Sequence, residues 1–165
     1  GPPLPQRGRD GGVASGDAQA RERYRESATI AAGDATPVVV DTPLGRLGLS
    51  VCYDLRFPEL YRALTAAGAE VLCVPSAFTE RTGAAHWDIL LRARAIENLC
   101  HVLASNQCGT HAGNRRTWGH SCIVDPWGSV LAACGAEPGI AVAELDAGRR
   151  TAQRRSFPVL EHRRL

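Results

Sequence analysis

The sequence predicts an α/β fold with parallel strands at its centre, and two observations carry that prediction. Short apolar runs alternate with segments of helical pattern, so that the order strand, helix, strand recurs through the middle of the chain. The runs Ala69–Ser76 (AEVLCVPS) and His101–Asn106 (HVLASN) are apolar through most of their length, as strands covered on both faces are.

Residues Gly1 to about Arg23 are rich in Gly, Pro, Arg, Asp and Ala and show no apolar period. Residues 1–23 therefore read as a disordered or atypical segment, with order expected from Tyr24. Pro37–Thr42 and Leu44–Cys52 read as strands joined in a hairpin by Thr42-Pro43-Leu44-Gly45. Pro58–Ala67 reads as a helix, with proline in its first turn and Gly68 after its last. Ala69–Ser76 then follows as a strand, and the connection implies a right-handed parallel crossover. Ala77–Ala85 reads as a loop. His86–Cys100 is the longest helix, with Trp87, Leu90, Leu91 and Ile96 roughly on one face. After the strand His101–Asn106, the Gly- and Arg-rich stretch Cys108–Trp118 reads as a loop. His120–Val124, Ser129–Ala133 and Ile140–Leu145 read as three strands of an antiparallel end of the sheet. The arginine-rich tail from Gly148 to Leu165 reads as partly helical.

A chain of 165 residues is long enough for one domain with a real core. Its net charge of +2 is too small to argue for nucleic acid, and no apolar run approaches the ~20 residues of a membrane helix. All 19 Lys+Arg residues are arginine, a side chain that does not exchange protons near neutral pH. The six cysteines (52, 73, 100, 108, 122 and 134) lie mostly in apolar runs and do not space like a secreted disulfide framework. With no signal peptide visible, a reducing, cytoplasmic compartment is expected.

The stretch Gly48–Leu60 (GLSVCYDLRFPEL) carries the chemistry. Cys52 falls where a strand gives way to a tight turn and then a helix, a position at which α/β proteins hold reactive groups. A thiol there is activated by a base, by positive charge or by backbone N–H groups. The N–H of Tyr53 is a candidate oxyanion donor, and Arg56 a candidate carboxylate clamp. A buried cysteine that merely ends a strand is the alternative.

Three long motifs appear in order: GLSVCYDLRFPELYRAL, VLCVPSAFTERTGAAHWDILLRARAIEN and RRTWGHSCIVDPWG. With the earlier YRESATIAAGD, they resemble the nitrilase (carbon–nitrogen hydrolase) superfamily and its Nit-type amidase branch. The likeness runs from about Tyr24 to the end, so residues 24–165 are expected to form a partial carbon–nitrogen hydrolase domain. The resemblance implies a nitrilase-like αββα sandwich, incomplete at the N-terminus, that pairs into homodimers and uses neither metal nor other cofactor. It implies that Cys52 is a nucleophile forming a thioester with a small carboxylate amide, such as deaminated glutathione or a 2-oxo acid ω-amide. By the same resemblance Tyr53 supplies the oxyanion donor, Arg56, Phe78 and Thr82 line the substrate pocket, and Glu26 is a supporting glutamate.

The family pattern also includes an early glutamate base and a lysine, both N-terminal to the position of Glu26. This chain contains no lysine, and its only earlier glutamate, Glu22, sits in an Ala-Arg-Glu-Arg setting that matches no family motif. An N-terminally truncated amidase is the expectation; the alternative is an impaired member or fragment serving as a non-catalytic subunit. Cys108-Gly-Thr-His111 and His120-Ser-Cys122 are too weak a pair of half-sites to argue for zinc. Arg92, Arg94 and Glu97 read as a helix-borne ion-pair network, with Arg94 a candidate brace for the site. Asp54 reads as a hydrogen-bonded turn residue or an acid.

Overall fold

The computed structural model describes residues 31 and 33–164. The chain divides into two units, 1–35 and 36–165, and the second is described below.

Six strands form one sheet in the order β1 (Val39–Thr42), β2 (Gly45–Leu49), β3 (Val71–Cys73), β4 (His101–Ala104), β7 (Cys122–Val124) and β8 (Val130–Ala133). The hairpin β1 (Val39–Thr42) and β2 (Gly45–Leu49) is antiparallel, with Thr42 opposite Gly45. From β2 the chain crosses through α1 (Pro58–Ala66) to β3 (Val71–Cys73), then through α2 (Glu80–Asn98) to β4 (His101–Ala104). Strands β2, β3 and β4 are parallel neighbours. Two crossovers of one hand that advance in one direction leave α1 and α2 on the same face of the sheet, and the two helices touch. A two-stranded hairpin, β5 (Cys108–Thr110) and β6 (Arg116–Trp118), stands apart from the sheet. Strands β7 (Cys122–Val124) and β8 (Val130–Ala133) add an antiparallel edge. The last helix, α3, spans Ala147–Ser156.

The core lies between the sheet and the two crossover helices. Gly48, Leu72, Val102 and Val124 stand in register across four strands. Leu72, Val102 and Val124 are buried with Leu55 of the turn before α1, Tyr61 and Leu64 of α1, and Trp87 and Leu91 of α2. Gly48 is what lets α1 close on the sheet: a Cβ there would stand 3.0 Å from that of Ala69 and 3.3 Å from that of Leu64. Pro58 opens α1 where its missing N–H costs nothing. Gly68 follows its end at φ +97°, a conformation glycine adopts without strain.

Several sequence expectations need correction. Strand β2 stops at Leu49 rather than at Cys52, because Cys52 has φ +47° and cannot extend a strand. The long helix begins at Glu80 rather than His86, since Thr79 caps it by accepting the N–H of Thr82. Its buried stripe is Gly83, Trp87, Leu91, Arg94, Ala95 and Asn98, while Ile96 faces outward. Cys108–Trp118 is a hairpin rather than a loop. Ile140–Leu145 forms no strand, since no strand among the described residues pairs with it; Ile140 is 90% and Val142 81% exposed.

Candidate active site

Three parallel strands deliver their carboxyl ends to one place. Cys52 lies beyond β2, Pro75 and Ser76 beyond β3, and Ser105 and Asn106 beyond β4. Backbone bonds continue the ladder past the strands: Cys52 N–H donates to Pro75 O (2.8 Å), and Ser76 N–H to Ser105 O (2.8 Å). A cleft of about 510 Å³ opens there, lined by Val51, Cys52, Pro75, Ser76 and Ala77 and by Ser105, Asn106, Gln107 and Ser121. Clefts at the carboxyl ends of parallel strands are where open α/β sheets bind ligands.

Cys52 opens a short 3-10 turn, Cys52–Arg56, that precedes α1. The turn is closed on itself. Val51 N–H donates to Asp54 Oδ2 (2.9 Å), and Asp54 N–H returns a bond to Val51 O (3.0 Å). Asp54 is therefore the hydrogen-bonded turn residue of the two roles read from sequence. The Tyr53 N–H belongs to the first turn of this segment, whose amides lack intrahelical acceptors. Behind the turn, the Tyr61 hydroxyl pairs with Ser50 Oγ (2.8 Å), and Ser50 Oγ donates to Cys73 O (2.9 Å). Burial pushes the Tyr61 hydroxyl up to about 12, so it keeps its proton at any working pH.

Arg56 ends the same turn. Its guanidinium carbon lies 5.4 Å from the centroid of the Tyr53 ring and 5.3 Å from that of Phe78, within cation–π range of both. Its Nη1 is 3.2 Å from Nδ1 of His86, one turn and a half into α2. Among the described residues Arg56 has no ion-pair partner. Phe78 is 4% exposed and tilts against Trp87 at 4.9 Å. Its N–H donates to Asn106 Oδ1 (2.9 Å), and Asn106 Nδ2 donates to Gly119 O (2.7 Å). Thr82 lies in the first turn of α2, its hydroxyl 3.0 Å from that of Thr79.

The structure thus brings Tyr53, Arg56 and Phe78 into one cluster, with Thr82 two residues beyond the start of α2. Cys52 faces the cleft, which Arg56, Phe78 and Thr82 do not line. Glu26 lies outside the described residues. The sequence reading missed His86, Asn106 and Ser121. Asn106 stands beyond β4 as Cys52 stands beyond β2, and that shared strand-end position is the signal that would have found it. Among the described residues, no group of three or more His, Cys, Asp or Glu could hold a metal ion.

The carbon–nitrogen hydrolase family model matches residues 14–155. The chain belongs to the carbon–nitrogen hydrolase family. Among its relatives is the deaminated glutathione amidase of Synechocystis sp., 53% identical over 141 residues, or 85% of this chain and 52% of the relative. The chain spans about half the length of that curated relative. The crystal structure of the C. elegans NitFhit protein, a nitrilase and fragile histidine triad fusion, superposes with a TM-score of 0.83 at 50% identity. That match covers 88% of this chain and 35% of NitFhit. A mutant amidase from Nesterenkonia sp. AN1, solved after Michael addition of acrylamide at its active site cysteine, matches at 37% identity and a TM-score of 0.66. It covers 81% of this chain and 52% of that one. The fold of this carbon–nitrogen hydrolase chain is therefore the α/β fold of the nitrilase superfamily. No helix among its described residues is long and apolar enough to cross a membrane.

Proposed function

We propose that this chain is the thiol-bearing part of an amidase that hydrolyses the C–N bond of a small carboxylate amide. The observation that carries the reading is Cys52: a cysteine at φ +47° on a closed turn, at the mouth of a cleft across three parallel strand ends. The thiolate attacks the amide carbon, and the oxygen of the resulting adduct takes a hydrogen bond from the Tyr53 N–H. The C–N bond breaks, nitrogen leaves as ammonia after taking a proton, and water hydrolyses the thioester to the acid and free thiol. Arg56, held by Tyr53, Phe78 and His86 without a carboxylate of its own among the described residues, suits a substrate carboxylate. From the family resemblance we also assign Phe78 and Thr82 to the substrate pocket and give Glu26 a supporting catalytic role. The names of the relatives favour deaminated glutathione as the substrate type. We also infer a homodimer working in the cytoplasm, a setting that suits six unpaired thiols.

The test measures ammonia released from deaminated glutathione and from a 2-oxo acid ω-amide, by this chain and by Cys52→Ala. Release that disappears with the thiol is expected, and equal rates would refute the reading. Without a match to the early glutamate base or the lysine of the family pattern, turnover is expected to fall at least roughly 100- to 10,000-fold below that of the longer relatives. Equilibrium sedimentation tests the dimer. The domain is taken as residues 24–165, although the family match begins at 14. Limited proteolysis that leaves a resistant fragment starting well before Tyr24 would move that boundary.

A further inference from the structure

The turn that carries Cys52 is held from beneath by a side chain that does not line the cleft. Arg94 projects from α2 and is 5% exposed. Its Nε and Nη2 both donate to the carbonyl of Leu55 (3.1 and 2.7 Å), the fourth residue of the turn. Its Nη1 donates to Glu97 Oε1 (2.9 Å). Its guanidinium carbon lies 5.3 Å from the centroid of the Tyr61 ring, and Tyr61 is the residue that holds Ser50. The positions two before and three after Cys52 thus lead to one guanidinium, directly at Leu55 and through Tyr61 at Ser50.

The physical case has three parts. Burying a guanidinium is costly unless its donors are used, and here Nε, Nη1 and Nη2 all are. The last carbonyls of a short helical turn find no donor inside it, and Arg94 supplies the donors for Leu55 with a planar fork that a lysine ammonium cannot reproduce. A non-glycine residue at positive φ persists only where its surroundings over-determine it.

We propose that Arg94 is a positioning residue for Cys52: its guanidinium, neutralised by Glu97, fixes the Cys52–Arg56 turn over the cleft. The proposal rests on Cys52 being the reacting thiol, and Arg94 itself touches no substrate. The experiment compares the full chain with Arg94→Met and Arg94→Lys by amide hydrogen exchange and by ammonia release. In Arg94→Met the amides of Asp54 and Phe57 are expected to exchange about 10- to 100-fold faster, while those of Leu72 and Val102 change little. Arg94→Lys keeps the charge but not the fork, so its exchange is expected to fall between the two. Ammonia release should decline in the same order, through kcat rather than KM. Unchanged exchange in the turn overturns the proposal, and so does a uniform rise across turn and sheet, which would make Arg94 an ordinary core residue. If Arg94→Met does not fold, the turn-against-sheet comparison in Arg94→Lys decides by the same two criteria. If Cys52→Ala releases ammonia as fast as the unaltered chain, the amidase reading fails while the exchange data still judge the role of Arg94 in the turn.

Discussion

Replacing Asn106 with alanine is expected to cost about 2–4 kcal/mol of folding stability. The side chain is 7% exposed and bridges two loops that flank the Cys52 cleft. Its Oδ1 takes the Phe78 N–H at 2.9 Å, and its Nδ2 gives to Gly119 O at 2.7 Å. Alanine removes both bonds and leaves a donor and an acceptor unmet, each worth about 1–3 kcal/mol when it stays dry. Water entering the space from the cleft brings the sum toward the lower end. For a domain of this size, that loss lowers Tm by roughly 4–16 °C. Urea titration followed by tryptophan fluorescence reads it, since Trp87 packs on the Phe78 ring. Asn106→Asp is the informative companion. It keeps the acceptor for Phe78 but turns a carboxylate oxygen toward the Gly119 carbonyl, so the folded state favours the protonated acid. The folded form then binds more protons than the unfolded one, and stability falls as pH rises out of the usual carboxylate range. An alanine variant within about 0.5 kcal/mol of the unaltered chain would refute the bridging role, because surface substitutions commonly cost no more than that.

Three further outcomes are expected. Alkylation by a neutral reagent at mildly alkaline pH should modify Cys52 ahead of Cys100 and Cys122, because burial raises the Cys100 thiol and pushes the Cys122 thiol up to about 11; peptide mapping that finds either buried thiol labelled as fast would refute this. Stability should decline in two steps on acidification. Burial first, then Arg150, lowers His101, whose contribution is lost as pH falls below 6.5; the Arg46 N–H bond leads in lowering Glu70, whose contribution is lost as pH falls below 4.5. Urea midpoints across pH should lose the upper step in His101→Gln, and an upper step that survives would reassign it. Finally, Cys52→Gly should be about 1 kcal/mol more stable than Cys52→Ala, since only glycine is relaxed at φ +47°; chemical denaturation that ranks them the other way would place the strain elsewhere.

What the sequence shows of this fold follows from punctuation and period. Pro58 and Gly68 bracket α1 closely, and the apolar runs place β3 and β4 within a few residues. The errors arise where tertiary contacts decide. The run GLSVC reads as continuous strand, yet the chain turns at Cys52, where φ is +47°, although its N–H still continues the β2–β3 ladder to Pro75 O. Gly83 reads as a loop residue, yet it lies on the buried face of α2, where a Cβ would stand 2.2 Å from Trp118 Cβ. Ile140–Leu145 alternates as a strand should, but alternation supplies a face and no partner. The burial of Arg94 was legible in principle. Trp87 and Leu91 set a stripe at i and i+4, and Arg94 falls at i+7 on the same face.

Four non-glycine residues in the described chain have positive φ: Cys52, Leu99, Asn114 and His120. Leu99 ends α2, where a left-handed residue is the usual stop. Asn114 is of a type that tolerates the conformation. His120 has a local return, since its Nδ1 lies 2.7 Å from Trp118 O and its ring stacks on that indole at 4.1 Å. Cys52 has no such local explanation. It ends no helix, its residue type gains nothing from the left-handed region, and glycine would be more relaxed there. The surroundings nevertheless hold it, with Asp54 closing the turn, Pro75 taking the N–H and Arg94 gripping Leu55 from below. Strain that several independent contacts maintain, at a thiol facing a cleft over parallel strand ends, fits the nucleophile proposed above better than a core cysteine.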